Sequence, residues 1–165
     1  MKLSSRGQKW LKAFHVWVSC GWAAAGFILL LMNLGLRAKD GMELYGYNIA
    51  MKFIDDFIII PCAMITLVTG IFYALLTKWG WFRHTWIIVK WIITVGSILF
   101  GTFFLGPWLN SLAPISLQAG MDALTIPEYV EAKQLNLYFG IVQVFLLTFA
   151  IFISIFKPWK KKKTS

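Results

Sequence analysis

The sequence predicts an all-α polytopic membrane protein: a single domain of four transmembrane helices in an antiparallel bundle, with both termini on the same side. Three observations carry that expectation. The 165-residue chain is 59% hydrophobic and 14% charged, with nine Trp and a mean hydropathy of +0.69, a composition outside the soluble range. Four segments, approximately 12–36, 54–77, 84–108 and 135–156, each supply the roughly 20 apolar residues that a helix needs to cross about 30 Å of hydrocarbon. The charges are also sorted by position along the chain.

The first span follows Lys2, Arg6, Lys9 and Lys12. Ala23-Ala24-Ala25 resembles a signal-peptide cleavage site, but the apolar run continues to Leu36, which is an anchor's length. The short apolar stretch before Cys20, interrupted by His15, argues against a lipoprotein signal. An outer loop, 37–53, leads to the second span, in which Asp55 and Asp56 read as a helix cap and Pro61 as a kink. The short aromatic link Lys78-Trp79-Gly80-Trp81-Phe82-Arg83 makes the second and third spans antiparallel neighbours. A longer outer loop, 109–134, has Gly and Pro turn signals and enough apolar residues for short surface helices. After the fourth span comes a basic tail, 157–165.

Eleven basic residues and no acid fall on the side of the termini, whereas all seven acids fall on the other. The positive-inside rule then places both termini in the cytoplasm. The net charge of +9 is thus a topology signal that suits anionic lipid, and nothing in the pattern points to nucleic acid. Cys20 and Cys62 lie within spans without CxxC or zinc spacing, and read as small core residues. No nucleophile–base pair, phosphate loop or metalloprotease spacing occurs, which argues against hydrolases and transferases.

Polar residues mark the inward stripe of each span. At 100° per residue these stripes are His15, Ser19, Trp22, Gly26 and Asn33; Asp55, Ile59, Cys62, Thr66, Thr69 and Tyr73; Lys90, Thr94, Ser97 and Gly101; and Asn136, Gly140, Gln143, Ala150 and Ser154. The helical rise puts His15, Tyr73 and Lys90 at one depth in the cytoplasmic leaflet, and Asp55, Asp56, Asn33 and Gln143 in an outer cluster. Lys90 is the most telling residue, because a charge in hydrocarbon needs a partner, a task or a route for snorkelling to the headgroups.

His15 and His84 are the only two histidines, both near the cytoplasmic side. Two imidazoles from different helices, with Trp22, Tyr73 and Trp91 nearby and Lys90 for the propionates, make a candidate b-type haem site. A quinone is the alternative occupant, and either would make the protein an electron-transfer component with a redox partner. His84 lies about 120° from Lys90 around the helix, so an ordinary interfacial role competes with a ligand role. A second reading is transport of a proton, a metal ion such as copper, or a small solute between the two polar centres, with Met32, Met42, Met51 and Met64 as soft donors. A third is a non-catalytic accessory or scaffold subunit in a homo- or hetero-oligomer.

KAFHVWVSCGWAAAGFILL (12–30) and IIVKWIITVGS (87–97) resemble the uncharacterised bacterial four-helix membrane proteins related to the copper-resistance D family. In that group the first helix carries a histidine followed seven residues later by a tryptophan, as His15 and Trp22 do, and a later helix carries a lysine in an aliphatic run, as Lys90 does. The sequence departs from the group after Trp22, where Ala23-Ala24-Ala25-Gly26 stands in place of a glycine pair. The resemblance implies a multi-pass protein of the bacterial plasma (inner) membrane. In architecture the chain is also similar to small four-helix membrane cytochromes.

Overall fold

A computed structural model describes residues 3–77, 80–82 and 84–157. Lys2, Lys78, Trp79, Arg83 and the tail beyond Lys157 lie outside these residues. The described chain is helical, with no strand. Its helices are α1 (Ser5–Gly35), α2 (Gly41–Ile54), α3 (Ile60–Leu76), α4 (Thr85–Phe100), α5 (Gly106–Ala119) and α6 (Pro127–Phe156). One π-helical turn, Asp55–Ile59, joins α2 to α3, another, Gly101–Leu105, joins α4 to α5, and a 3-10 segment, Gly120–Thr125, leads into α6. Four continuous units, Ser5–Gly35, Gly41–Leu76, Thr85–Thr125 and Pro127–Phe156, are long and apolar enough to cross a membrane.

The two π turns have one cause. Pro61 stands six positions after Asp55, and Pro107 six after Gly101. A proline inside a helix lacks its N–H, and its ring collides with the carbonyl four residues back. In both units the preceding residue bonds five residues back, Ile60 N to Asp55 O and Gly106 N to Gly101 O. This widened turn lets the helix run past the proline.

The segments read as outer loops are largely helical. α2 fills 41–54, and α5 carries the third unit on to Ala119. At 1.5 Å per residue, the 36-residue Gly41–Leu76 unit is about 54 Å long, far more than the hydrocarbon thickness. Beyond the π turns, α2, α5 and the first turns of α6 therefore form a cap. Its core is Leu44, Met51, Leu109, Leu112, Ala123, Tyr129 and Ala132. The cap encloses a polar knot: Asn48 Nδ2 donates to Ser116 Oγ at 2.9 Å and to Tyr129 OH at 3.1 Å, all three residues being fully buried. At its far edge a Cβ on Gly41 would lie 2.6 Å from Gly120 Cα, and Gly120 itself has a φ of +58°, so both positions require glycine. The N-cap of this unit is Asp40, which accepts from Glu43 N at 2.8 Å, while Glu43 accepts from Lys39 N at 2.7 Å. Asp55 and Asp56 are not caps; they occupy the π turn in mid-helix.

Below the cap, α1 lies between α3 and α6, and α6 packs on α4, whereas α3 and α4 touch over only a short stretch. Large apolar side chains such as Trp17, Ile92 and Phe145 face outward, each about seven-tenths exposed, as lipid contact requires. Cys20 is exposed on that surface and so is not a core residue; Cys62 is half-buried against Trp22, Ala63 and Leu147. Leu3 N donates to Leu76 O at 3.0 Å, and Lys12 and Lys157 border one cavity. The two chain ends thus share the basic end of the bundle.

Candidate functional site: two chambers along the bundle

Where α3 and α4 stand apart, a chamber of about 110 Å³ opens at the basic end. α1 contributes Lys12 and His15, α3 contributes Thr66, Gly70 and Tyr73, α4 contributes Lys90, Trp91 and Thr94, and α6 contributes Ser154. Lys157, just past the end of α6, completes the rim. A smaller void of about 60 Å³ adjoins it, sharing His15, Thr66, Lys90, Thr94 and Ser154, and reaching Ser19 and Trp22. His15, Tyr73, Lys90 and Trp91 thus surround one space. Among the described residues every charged group on this chamber is a cation.

His15 is the best-defined group in it. Its Nδ1 lies 2.7 Å from Thr69 Oγ1, and the Thr69 hydroxyl lies 2.7 Å from the Ile65 carbonyl one turn earlier. Because that hydroxyl gives its proton to the carbonyl, the imidazole must donate Nδ1–H to Thr69. Nε2 is therefore the lone-pair atom of a ring that lines the chamber. This is the outer-shell device that fixes tautomer and ring orientation in ligand histidines. Ser19 supports the same turn, donating to the His15 carbonyl at 2.7 Å.

His84 is not among the chamber's lining residues. It forms the N-cap of α4 in an extended conformation, with its ring stacked on Trp86 at 6.1 Å. Trp22, 2% exposed, sits deeper than the basic chamber. Together with Leu147 it borders both the small void and a second, larger chamber. That outer chamber, about 390 Å³, is bounded by both π turns and lined by Asp55, Ser97, Asn136 and Gln143 among apolar side chains.

The acidic-end cluster divides in the structure. Asp55 and Gln143 line the outer chamber, whereas Asp56 pairs with Lys52 at 2.8 Å, and Lys52 also donates to Asn110 Oδ1 at 2.9 Å. Asn33 lines a separate cleft with Arg37 and Lys133, its Oδ1 buried without a partner among the described residues. The four methionines considered as copper donors do not all converge: Met51 is in the cap core with Met32 packed against it, Met42 is exposed, and Met64 is on the outer chamber. Among the described residues no group of three or more His, Cys, Asp or Glu side chains is placed to hold a metal ion.

The periodicity of the sequence put Thr66 and Thr69 on the inward stripe, but the relay from Ile65 through Thr69 to His15 depends on rotamers that no sequence pattern specifies. The π turns had a visible signal only in the kink at Pro61. No family model, curated protein or solved structure matches the chain.

Proposed function

We propose that the chamber at the basic end binds a redox-active ring carrying oxygen acceptors, either b-type haem or a quinone, and that the protein is an electron-transfer component of the membrane. The observation that carries this reading is His15, with Nδ1–H held by Thr69 and Nε2 left as a lone pair on a chamber whose charged lining residues are all cations. A lone-pair nitrogen can ligate a haem iron or accept the hydroxyl proton of a hydroquinone. Lys12, Lys90 and Lys157 supply N–H donors suited to propionate carboxylates or quinone carbonyls. Trp91 and Tyr73 offer aromatic walls, and Gly70 leaves room beside His15 Cε1.

The donor set fits both groups, with His15 as the sole histidine toward the ring. When bound, such a ring supplies the electron-accepting chemistry that no side chain here has. The void of about 110 Å³ is below the ~300–1,000 Å³ of usual ligand sites, so side chains on its rim would have to move to admit the ring. Lys90 is then a functional cation within the span rather than a snorkelling one. The basic end is taken as cytoplasmic and the membrane as the bacterial plasma membrane, from the charge asymmetry and the resemblance; the kinship with the copper-resistance D group stands on the His15, Trp22 and Lys90 motifs.

Protein purified from haem-replete cells tests this reading by a reduced-minus-oxidised visible spectrum and by solvent extraction. A haem α-band, or a quinone at near one per chain, supports it. The absence of both would refute it.

One observation favours a second reading, in which a proton, metal ion or small solute passes between the chambers: Trp22 and Leu147 border both the small void that adjoins the basic chamber and the outer chamber. In that case Trp22→Ala speeds uptake into liposomes.

A further inference from the structure

We propose that the outer chamber is a binding site in its own right, for a small organic cation with an apolar body, held by the Asp55 carboxylate. This goes beyond the redox reading and does not depend on it, because the two chambers have opposite charge. The outer chamber contains one charged lining residue, Asp55, among side chains such as Leu29, Ile59, Met64 and Val144. Lys52 pairs with Asp56, donates to Asn110 and acts on Asp55 through its charge at longer range, while among the described residues no cation is in direct contact with the Asp55 carboxylate. A carboxylate in an apolar, membrane-embedded cavity is stabilised either by a proton or by a counter-charge, and a cationic guest would supply the second.

The remaining polar groups favour a donor-bearing guest. Asn136 Nδ2 is already given to the Leu105 carbonyl at 3.0 Å, which leaves Asn136 Oδ1 as an acceptor. Pro107 has no N–H, so the Gly101–Leu105 turn beside the chamber is one main-chain donor short. Size then separates the classes of cation. A bare metal ion needs several oxygens within about 2.0–2.6 Å of one point, and the described residues offer no such cluster. A volume of about 390 Å³ instead falls in the ~300–1,000 Å³ range of organic ligand sites. Gly101, where an added Cβ would sit 3.7 Å from Gln143 Nε2, keeps this space open.

The test is calorimetric titration of the full-length protein in detergent with benzylammonium, which carries three N–H donors, competed with its uncharged isostere ethylbenzene. Asp55→Asn is expected to weaken binding at least about tenfold, as loss of a buried charge partner does. Asp122→Asn should leave it within about twofold, since that carboxylate sits in the 3-10 segment and does not line the chamber. Gly101→Leu, which fills the chamber without touching the charge, should also abolish binding, and His15→Ala should leave it unchanged, so that failure of the redox reading is read separately. Binding that is equal in Asp55→Asn, equal competition by the neutral isostere, or no binding to the wild type would each overturn the proposal.

Discussion

Replacing Asn48 by Ala strikes the polar knot at the centre of the cap. Asn48 Nδ2 serves Ser116 Oγ and Tyr129 OH, and the Tyr129 hydroxyl faces Asn48 Oδ1 in return at 3.4 Å. Ser116 keeps its bonds to the Leu112 and Ala113 carbonyls, but the Tyr129 hydroxyl has no other partner among the described residues. Losing one or two net hydrogen bonds at about 1 kcal/mol each and orphaning a buried hydroxyl at about 1–3 kcal/mol should destabilise the protein by about 2–4 kcal/mol. Tyr129→Phe removes the hydroxyl itself and should cost about 1–1.5 kcal/mol. The two changes must couple, because the orphan no longer exists in the double variant; it should be about 1–2 kcal/mol less destabilised than the sum. Equilibrium unfolding in mixed micelles, followed by circular dichroism, measures all three. An Asn48→Ala loss under about 0.5 kcal/mol, or strict additivity, would refute the idea that this knot holds α2, α5 and α6 together.

Three further outcomes follow from named contacts. Thr69→Val removes the acceptor of His15 Nδ1–H and should weaken retention of the bound ring about 10–100-fold, as outer-shell changes do, measured by titrating ring into stripped protein. Gly41→Ala drives a methyl to within 2.6 Å of Gly120 Cα and should cost about 1–3 kcal/mol or more by the same unfolding assay. With Cys20 and Cys62 replaced by Ala, an impermeant maleimide applied outside intact cells should label Leu124→Cys and not Ser5→Cys, the reverse pattern contradicting the charge-based orientation.

The four spans were legible because lipid imposes a simple length and polarity rule; of the π turns the sequence showed only a kink at Pro61. The cap was less legible. Its helices continue out of the spans, and the Asp40…Glu43 capping pair, a local signal for the start of α2, competed with turn signals at Gly41, Gly46 and Tyr45 in the same stretch. Reading Asp55 and Asp56 as a cap followed from placing the span's start at 54, when the helix begins thirteen residues earlier, at Gly41. At the site, helical periodicity gathers His15, Tyr73 and Lys90 onto inward stripes. It does not give the side-chain direction of His84, which lies at the mouth of α4 against Trp86, nor the division of the acids between Asp55 in the chamber and Asp56 on Lys52. Those depend on packing between helices, which one sequence does not encode in any local pattern.

The most direct measurement is the spectrum and extractable quinone content of His15→Ala beside His84→Ala, both purified from haem-replete cells and matched for yield and helical content. The account predicts that His15→Ala loses the bound ring while His84→Ala retains it with unshifted bands. A ring that survives His15→Ala, or one that is lost only with His84→Ala, would contradict it.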